Sequence, residues 1–318
     1  MSEPTNAFEV VALALCPQRD LVRFCDHYLR QGARRVQVFY DAVPDFALSD
    51  PRVQLVACDP TFWRGLGLLR PPSVEGRQRA VYRHAYVQCE TEWLLVVDVD
   101  EFVFGPQPLD ALLAGIGPGP DCVRFTSAEA VFAPIDNIED EFSASAFRLP
   151  TTRLASPLLA RLLYGAHSGL YVRGLLGHAR GKQAVRSGLA DVQIDIHDAT
   201  VPGRDLDRLD ATVAHGFMLA HYDAINFARW SEKCADRLRR GDAREMGRKR
   251  ERQLALYAAC TSKADQVRLF RRLYALDRWQ MRVLALAGLL HEPQEGLFGP
   301  SADPAVADPM VQVRTRCA

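Results

Sequence analysis

Residues 93–102 read "WLLVVDVDEF", and this stretch decides the fold prediction. Four apolar residues follow a tryptophan, as in a strand that is covered on both faces of a sheet. The strand then ends in three carboxylates within four positions, at Asp98, Asp100 and Glu101. Like charges at such short spacing disfavour joint ionisation unless a positive charge compensates them. The stretch therefore predicts either a solvated acidic turn or a carboxylate site that binds a cation.

Strand and helix patterns alternate before this stretch. Strand patterns occur at "EVVALAL" (9–15), "RRVQVFYD" (34–41) and "RVQLVAC" (52–58). Apolar residues recur at helical spacing in "DLVRFCDHYLRQG" (20–32) and "GRQRAVYRHAYVQCE" (76–90). This alternation predicts an α/β fold with a mostly parallel sheet flanked by helices. In such sheets ligands bind beyond the carboxyl ends of the strands, where Asp41 and the acidic cluster both lie.

The chain changes character at about residue 240, where helical patterns take over. We predict an α/β domain over residues 1–240, a C-terminal helical extension over 241–295 and a loose tail over 296–318. The basic stretch at 237–252 is interleaved with acids, which predicts a solvated helix face. Peripheral membrane association through the basic, amphipathic C-terminal helices is the alternative.

Composition excludes several classes of protein. The net charge of the 318 residues is +0, which argues against a nucleic-acid partner. The eight cysteines form no Cys-x-x-Cys pair, a pattern typical of a reducing compartment. No apolar run reaches the length of about 18 residues that a membrane span needs. We expect a cytoplasmic protein, with peripheral attachment at the inner face of the membrane as the alternative.

The D-x-D spacing favours a divalent cation. In an extended chain Asp98 and Asp100 lie on one face and Val99 lies on the other, so both carboxylates can address one site. Mg²⁺ and Mn²⁺ typically take one or two carboxylates together with water and substrate phosphate oxygens. We therefore predict that Asp98 and Asp100 bind Mn²⁺ or Mg²⁺.

The segment "EWLLVVDVDEFVF" (92–104) resembles the D-x-D-E segment of a glycosyltransferase group with the GT-A fold, related to family 2. Further segments follow in the order that this group shows. They are "VFYD" (38–41), "GHARGKQAVR" (177–186), "DIHD" (195–198) and "AHYDAINFARWSEK" (220–233). The resemblance covers roughly residues 8–240, and "CPQRD" (16–20) and "AVPD" (42–45) depart from the group's pattern.

The resemblance implies a GT-A-like fold, a nucleotide-diphosphate sugar as donor and a glycan or other hydroxyl acceptor. By that likeness Asp41 contacts the base or ribose, Asp98 lies near the ribose and the metal, and Asp100 is the main metal ligand. The group often completes the metal shell with a histidine, for which His197 and His221 are the candidates.

The resemblance also implies residues for the diphosphate and for proton transfer. Lys182 and Arg186 share one face of an extended segment and can both reach diphosphate oxygens, or they can belong to an exposed basic strand. Lys233 is a third candidate. Inverting attack by an acceptor hydroxyl needs a general base, and the candidates are Glu101, Glu129 and Asp140.

Two other functions remain open from the sequence. The altered "CPQRD" and "AVPD" segments would suit an inert GT-A scaffold that binds a partner or glycan without turnover. An apolar strand that ends in D-x-D also occurs in haloacid-dehalogenase-like phosphatases. Those enzymes usually place this strand near the start of the catalytic domain, whereas two strand–helix units precede it here.

Overall fold

The computed structural model describes residues 8–152, 156–201, 211–241, 247–293, 297–298 and 311–312. The chain divides into two compact units. Unit 1 consists of Met1–Thr126, Gly181–Leu219 and Phe298–Ala318, and unit 2 consists of Ser127–Arg180 and Ala220–Leu297. The predicted tail over 296–318 lies outside the described residues except at 297–298 and 311–312. The predicted domain boundaries at 240 and 295 stay predictions.

Unit 1 is built on a sheet whose first strands run parallel. The first six strands along the chain are β1 (Phe8–Ala14), β2 (Arg35–Tyr40), β3 (Ala47–Leu48), β4 (Val53–Ala57), β5 (Trp93–Val96) and β6 (Glu101–Phe104). Four of them stand in the order β4-β2-β1-β5, and each neighbouring pair is parallel. Every residue of β1 and β5 is buried, as expected for strands covered on both faces.

Helices connect and cover these strands. The helices before residue 122 are α1 (Gln18–Arg30), α2 (Pro60–Gly65), α3 (Val74–Val87) and α4 (Leu109–Ala114). On α1 the residues Leu21, Phe24, Cys25 and Tyr28 recur at helical spacing, and all four are fully buried. The Ser73 side chain accepts a hydrogen bond from the Gly76 backbone and thereby caps α3. The predicted α/β class, a mostly parallel sheet flanked by helices, is confirmed.

The direction of winding in the sheet reverses next to β1. From β1 the chain adds β2 and then β4 on one side, and it later places β5 on the other side of β1. Such a reversal is a topological switch point, where open α/β sheets leave a crevice at the carboxyl ends of the strands. Asp98 lies two residues beyond the end of β5. The acidic cluster therefore lies beside this crevice.

Antiparallel strands extend the unit 1 sheet beyond β5. The later strands are β7 (Cys122–Val131), β8 (Ala146–Arg148), β9 (Lys182–Arg186), β10 (Gln193–Ile194), β11 (Ala199–Thr200), β12 (Ala211–His221), β13 (Leu290–His291) and β14 (Val311–Gln312). Strand β9 pairs antiparallel with β5 and also with the first half of β7. Strands β10 and β11 form a separate two-stranded sheet, as do β3 and β14.

Unit 2 combines short antiparallel strand pairings with helices. The second half of β7 pairs with β8, and β8 pairs with β13. The helices are α5 (Ser156–Tyr164), a 3-10 helix (Gly165–Leu170), α6 (Phe227–Arg240), α7 (Arg248–Ala258), α8 (Lys263–Tyr274) and α9 (Arg278–Leu286). Aromatic rings of Trp230, Phe270 and Tyr274 pack edge to face or tilted in its core. Helices α7, α8 and α9 lie within the range 241–295.

Within the described ranges, no helix combines the length and apolar character that crossing a membrane requires. The seven cysteines in those ranges are free thiols.

Candidate functional site

The turn between β5 and β6 is held by Glu101. The Glu101 backbone N–H donates to the Asp98 carbonyl at 3.0 Å, and the Asp98 N–H donates to the Glu101 carboxylate at 2.9 Å. The Glu101 side chain is buried, and the backbone carbonyl of Glu101 accepts a hydrogen bond from the Tyr28 hydroxyl at 2.9 Å. These reciprocal bonds hold the backbone of the D-x-D-E turn in one conformation.

The positive charge that this acidic turn requires is supplied by Lys182. Its Nζ lies 2.8 Å from Asp98 Oδ2 and 3.5 Å from Glu101 Oε2, and its side chain is fully buried. Burial alone would lower the pKa of Lys182, but the charges of Asp98, Glu101 and Asp100 outweigh burial and raise the pKa above its usual value. The ammonium group therefore stays charged and offsets one of the three acidic charges of the turn.

The second oxygen of Asp98 is bound by helix α3. Gln78 Nε2 donates to Asp98 Oδ1 at 2.7 Å, and the Tyr82 hydroxyl lies 3.4 Å from the same oxygen. Burial, followed by the neighbouring carboxylates, raises the pKa of Tyr82 well above its usual value, so this phenol remains a hydrogen-bond donor. The Asp98 side chain nevertheless keeps 30% of its surface exposed. The cluster is thus fixed by protein donors and still open to solvent.

Asp41 follows β2 at the same carboxyl edge and is bound by two arginines. Arg70 reaches Oδ1 at 2.9 Å, and Arg77 reaches Oδ2 at 2.9 Å. Arg77 also donates to the carbonyls of Pro71 and Pro72, which fixes its guanidinium group. Asp41 is therefore a positioned carboxylate beside a half-exposed cation, Arg70.

Arg186 lies at the other end of strand β9. Lys182 begins β9, whereas Arg186 pairs with Trp93 at the start of β5. The Arg186 guanidinium group packs 4.2 Å from the Trp93 ring centroid, forms an ion pair with Glu92 and donates to the Gly117 carbonyl at 2.7 Å. Antiparallel pairing thus brings Lys182 to the Asp98 cluster and does not bring Arg186 there.

His197 belongs to the same unit and approaches the start of β9. It lies in the tight connection between β10 and β11, and its Nδ1 is 3.2 Å from the Gly181 carbonyl oxygen. Gly181 directly precedes Lys182 in the chain. A ring nitrogen bound to a carbonyl fixes the tautomer and directs Nε2 away from that bond.

Glu129 and His221 belong to unit 2 and lie around Gly177. The Glu129 carboxylate pairs with the buried Arg148 and accepts the backbone N–H groups of Leu176 at 3.1 Å and Gly177 at 2.7 Å. A Cβ atom at Gly177 would lie 3.0 Å from His221 Cε1 and 3.3 Å from Glu129 Oε1, so this close approach suits glycine. Glu129 is an anchored ion-pair partner in a buried cluster.

Asp140 and Lys233 also belong to unit 2. Asp140 is exposed in a turn, where its backbone N–H donates to the Asn137 carbonyl at 3.1 Å. Lys233 extends from α6 toward Asp223, with its Nζ 3.2 Å from the Asp223 carbonyl oxygen.

Asp223 anchors a buried network that the sequence did not predict. Its carboxylate accepts hydrogen bonds from the Tyr274 hydroxyl at 2.6 Å and from both terminal nitrogens of Arg250 at 3.1 Å. Burial alone would raise the pKa of Asp223, but Arg250, followed by Lys233 and His221, holds the pKa well below its usual value. The prediction of a solvated helix face over 237–252 is therefore wrong for Arg250. The basic stretch at 237–252 was the available signal. It contains many cations, and a buried carboxylate such as Asp223 needs one of them as a partner.

Sequence reasoning also missed the residues of α3 and of the segment before it. Gln78 and Tyr82 lie four apart on one helix face and both address Asp98. Arg70 and Arg77 bracket the α3 N-terminus and address Asp41. The polar residues at helical spacing in "GRQRAVYRH" (76–84) were the available signal.

The donor set at the acidic turn fits a metal ion in part. In the described ranges, no group of three or more His, Cys, Asp or Glu side chains is placed to hold a metal ion. Asp98 fits poorly, because its two oxygens accept hydrogen bonds from Gln78 and Lys182. Asp100 lies on the same turn with a partly exposed side chain. It fits the single carboxylate that Mg²⁺ or Mn²⁺ can take when substrate phosphates supply further oxygens.

Comparisons with known proteins give distant likenesses. No protein-family model matches the chain, and no curated protein matches it. The chain is similar to a mycobacterial protein at 16% identity and a TM-score of 0.26, with 57% of this chain and 53% of that chain covered. It is also similar to S. aureus TarS 1-349 at 12% identity and a TM-score of 0.31, with 88% of this chain and 72% of that chain covered. The chain spans about half the length of the mycobacterial protein. Both TM-scores are low, so neither likeness carries an argument about function.

Proposed function

We propose that the chain is a metal-dependent glycosyltransferase that moves a sugar from a nucleotide-diphosphate donor to a hydroxyl acceptor with inversion. One observation carries the proposal: the D-x-D-E turn leaves the sheet at the switch point between β1 and β5, with Lys182 buried beneath it. Buried charge at a strand end costs folding free energy and is characteristic of functional sites. The resemblance of residues 92–104 to GT-A enzymes supports the same reaction class.

The donor's nucleoside would lie at the carboxyl edge near Asp41. Arg77 holds the Asp41 carboxylate in place, while the half-exposed Arg70 can turn toward an anionic ligand. Asp98 is fixed by Gln78 and Lys182 in an orientation that leaves part of its surface open to a ribose hydroxyl. Lys182 acts in this proposal as a positioning residue, because its ammonium group is already bound to Asp98.

Asp100 would hold Mn²⁺ or Mg²⁺ together with the donor's diphosphate. The bound ion would supply Lewis-acid stabilisation of the negative charge on the leaving nucleoside diphosphate. His197 and His221 remain the candidates for a further ligand, and Arg186 and Lys233 remain proposals for diphosphate contacts. Arg186 lies at the opposite end of β9 from Lys182, so such a contact would require a diphosphate that reaches well beyond the D-x-D-E turn.

The transfer forms a bond between the acceptor oxygen and the anomeric carbon while the bond to the diphosphate oxygen breaks. The acceptor proton passes to a carboxylate, and inversion follows from attack opposite the leaving group. Glu101 is bound by the Asp98 backbone, and Glu129 is bound by Arg148. Asp140 has an exposed side chain. All three stay candidates for the base.

A thermal-shift panel of nucleotides and nucleotide sugars, with and without Mn²⁺, tests the proposal. A ligand at about 100 times its Kd stabilises the folded protein by about 2.7 kcal/mol. We expect a metal-dependent shift for at least one nucleoside diphosphate, lost in Asp100→Asn. The control is Asp191→Asn, which removes one exposed carboxylate from the same unit. A shift that is indifferent to metal, or that survives Asp100→Asn, contradicts the assignment.

Two outcomes of activity assays would favour the alternatives. Release of free phosphate from simple phosphomonoesters would favour the haloacid-dehalogenase-like phosphatase. Metal-dependent nucleotide binding without hydrolysis or transfer of the sugar would favour the inert GT-A scaffold. The altered "CPQRD" and "AVPD" segments are the reason for considering that alternative.

A further inference from the structure

Helix α9 carries large apolar side chains on a face that the described part of the chain leaves exposed. Leu284 packs inward and is 2% exposed. Trp279 and Leu286 lie seven residues apart and therefore on one side of the helix. They are 50% and 90% exposed. A helix face that exposes a tryptophan together with an aliphatic side chain indicates a surface that binds a partner or a membrane.

Four exposed arginines lie on α9 and near the end of α8. Arg278 and Arg282 lie four apart on α9, and Arg271 and Arg272 end α8. Arg271, Arg272 and Arg278 line one groove of about 1060 Å³. None of these four arginines forms an ion pair or a side-chain hydrogen bond with another residue in the described ranges. Their charges are therefore not neutralised by that part of the chain.

The groove is cationic on balance. Its lining includes one carboxylate, Asp277, which accepts the Gln280 backbone N–H at 2.8 Å and thereby caps α9. Arg268 also lines the groove but forms an ion pair with Asp265. Burial, followed by the charge of Arg272, lowers the pKa of His167 in the same lining. The complement of this groove is an anion.

We propose that unit 2 docks on the surface of an anionic lipid bilayer through this α9 surface, defined as Arg271, Arg272, Arg278, Trp279, Arg282 and Leu286. The arginines bind headgroup phosphates, and each basic residue near such a surface contributes about 1 kcal/mol. Trp279 and Leu286 enter the boundary between headgroups and acyl chains, where an amphipathic ring and an aliphatic side chain are both stabilised.

The combination of residues favours a bilayer over a nucleic acid. A phosphodiester backbone would use the four arginines but would give Leu286 no apolar environment. A bilayer uses both kinds of side chain at once, because phosphates lie directly above hydrocarbon. The proposal concerns docking only and stands whether or not the proposed transferase activity is correct.

Vesicle co-sedimentation with the full chain tests the proposal. We expect binding to phosphatidylcholine vesicles that contain phosphatidylglycerol and little binding to phosphatidylcholine alone. The double variant Arg271→Gln with Arg272→Gln removes two surface charges and should weaken binding about thirtyfold. The double variant Trp279→Ser with Leu286→Ser should weaken it by at least about tenfold. All six side chains are on the surface, so thermal unfolding should change little.

Matched controls come from elsewhere on the surface. Arg239→Gln removes a highly exposed arginine of α6, and Val87→Ser removes an 84% exposed apolar residue of unit 1. Both controls should bind like the parent chain. No binding to anionic vesicles, equal binding to neutral vesicles, or binding that survives both double variants would overturn the proposal. Concentration-dependent self-association that the same double variants abolish would replace the bilayer by a second copy of the chain, and would also overturn it.

Discussion

Unit 1 and unit 2 each bury a cluster of opposite charges, but the two clusters differ in their access to water. In unit 2, Asp223 is 5% exposed and its partners Tyr274 and Arg250 close around it. In unit 1, Lys182 is fully buried, whereas its partner Asp98 keeps 30% of its side-chain surface exposed. A closed network with satisfied oxygens stabilises a fold, and a network with one open side can also bind a ligand.

The two buried charge clusters are chemically similar but are expected to have different roles. The Asp223 cluster and the Glu129–Arg148 pair of the same unit should be sensitive to mutation mainly through stability. The Asp98–Lys182 cluster should be sensitive mainly through ligand binding. The following substitutions separate the two effects, from the largest expected loss of stability to the smallest.

Arg148→Met should give the largest loss of stability. The substitution leaves the buried Glu129 carboxylate without its cation, which costs about 3–5 kcal/mol of unfolding free energy. Urea unfolding followed by circular dichroism measures the change. Arg239→Met, at a side chain that is 77% exposed, is the control and should cost less than about 1 kcal/mol. Equal effects of the two substitutions would contradict a closed network in unit 2.

Asp223→Asn should lose about 2–3 kcal/mol at neutral pH, because Arg250 then keeps a neutral acceptor in place of a carboxylate. The lowered pKa of Asp223 gives this loss a pH dependence. The carboxylate's contribution is fully present above its unfolded pKa of about 3.8 and is lost as the pH falls through the lower folded value. The stability difference between parent and variant should therefore shrink only in strong acid. Urea midpoints measured from neutral pH into acid test this, and a difference that vanishes near pH 6 contradicts it.

Lys182→Met should lower the free energy of unfolding by an intermediate amount, about 1–3 kcal/mol. Both carboxylates lose their cation, and water can then hydrate the part-exposed Asp98 but not the buried Glu101. The same variant should lose the nucleotide-induced thermal shift, since the D-x-D-E turn loses its counter-charge. Lys182→Arg keeps the charge and should retain part of both properties. If Lys182→Met lowers stability and leaves nucleotide binding unchanged, the unit 1 cluster is structural like that of unit 2.

Asp98→Asn should change stability least, by about 1 kcal/mol, because the asparagine amide oxygen can still accept the Lys182 hydrogen bond and Glu101 remains 3.5 Å from the ammonium group. The nucleotide-induced shift should nevertheless be lost in this variant. A Tm measurement with and without nucleoside diphosphate and Mn²⁺ separates the two properties. A loss of stability as large as that of Asp223→Asn would remove the distinction between the open and the closed cluster.

Much of unit 1 could be predicted from local pattern. Apolar runs that alternate with helical periodicity predict parallel strands, and the acids after "WLLVV" predict a charged site at a strand end. Lys182 lies 84 residues away from Asp98 in sequence, and its burial depends on the antiparallel pairing of β9 with β5. Sequence spacing alone could not show that this pairing sends Arg186 to the opposite end of the strand.

The charged residues of unit 2 were harder to predict. Arg250 stands in a run of basic residues that has the composition of a solvated face, and only tertiary packing selects it to pair with Asp223. The Glu129–Arg148 pair likewise depends on the pairing of β7 with β8. In both cases the partners are separated in sequence, so no local periodicity connects them.

Hydrogen exchange followed by mass spectrometry can test directly whether a nucleotide site lies at the carboxyl edge of the unit 1 sheet. The measurement compares the chain with and without Mn²⁺ and the nucleoside diphosphate that gives the largest thermal shift. We expect slower amide exchange in peptides that cover residues 97–101 and 40–42. Protection confined to peptides from 127–180 and 220–293, with none at the D-x-D-E turn, would contradict it.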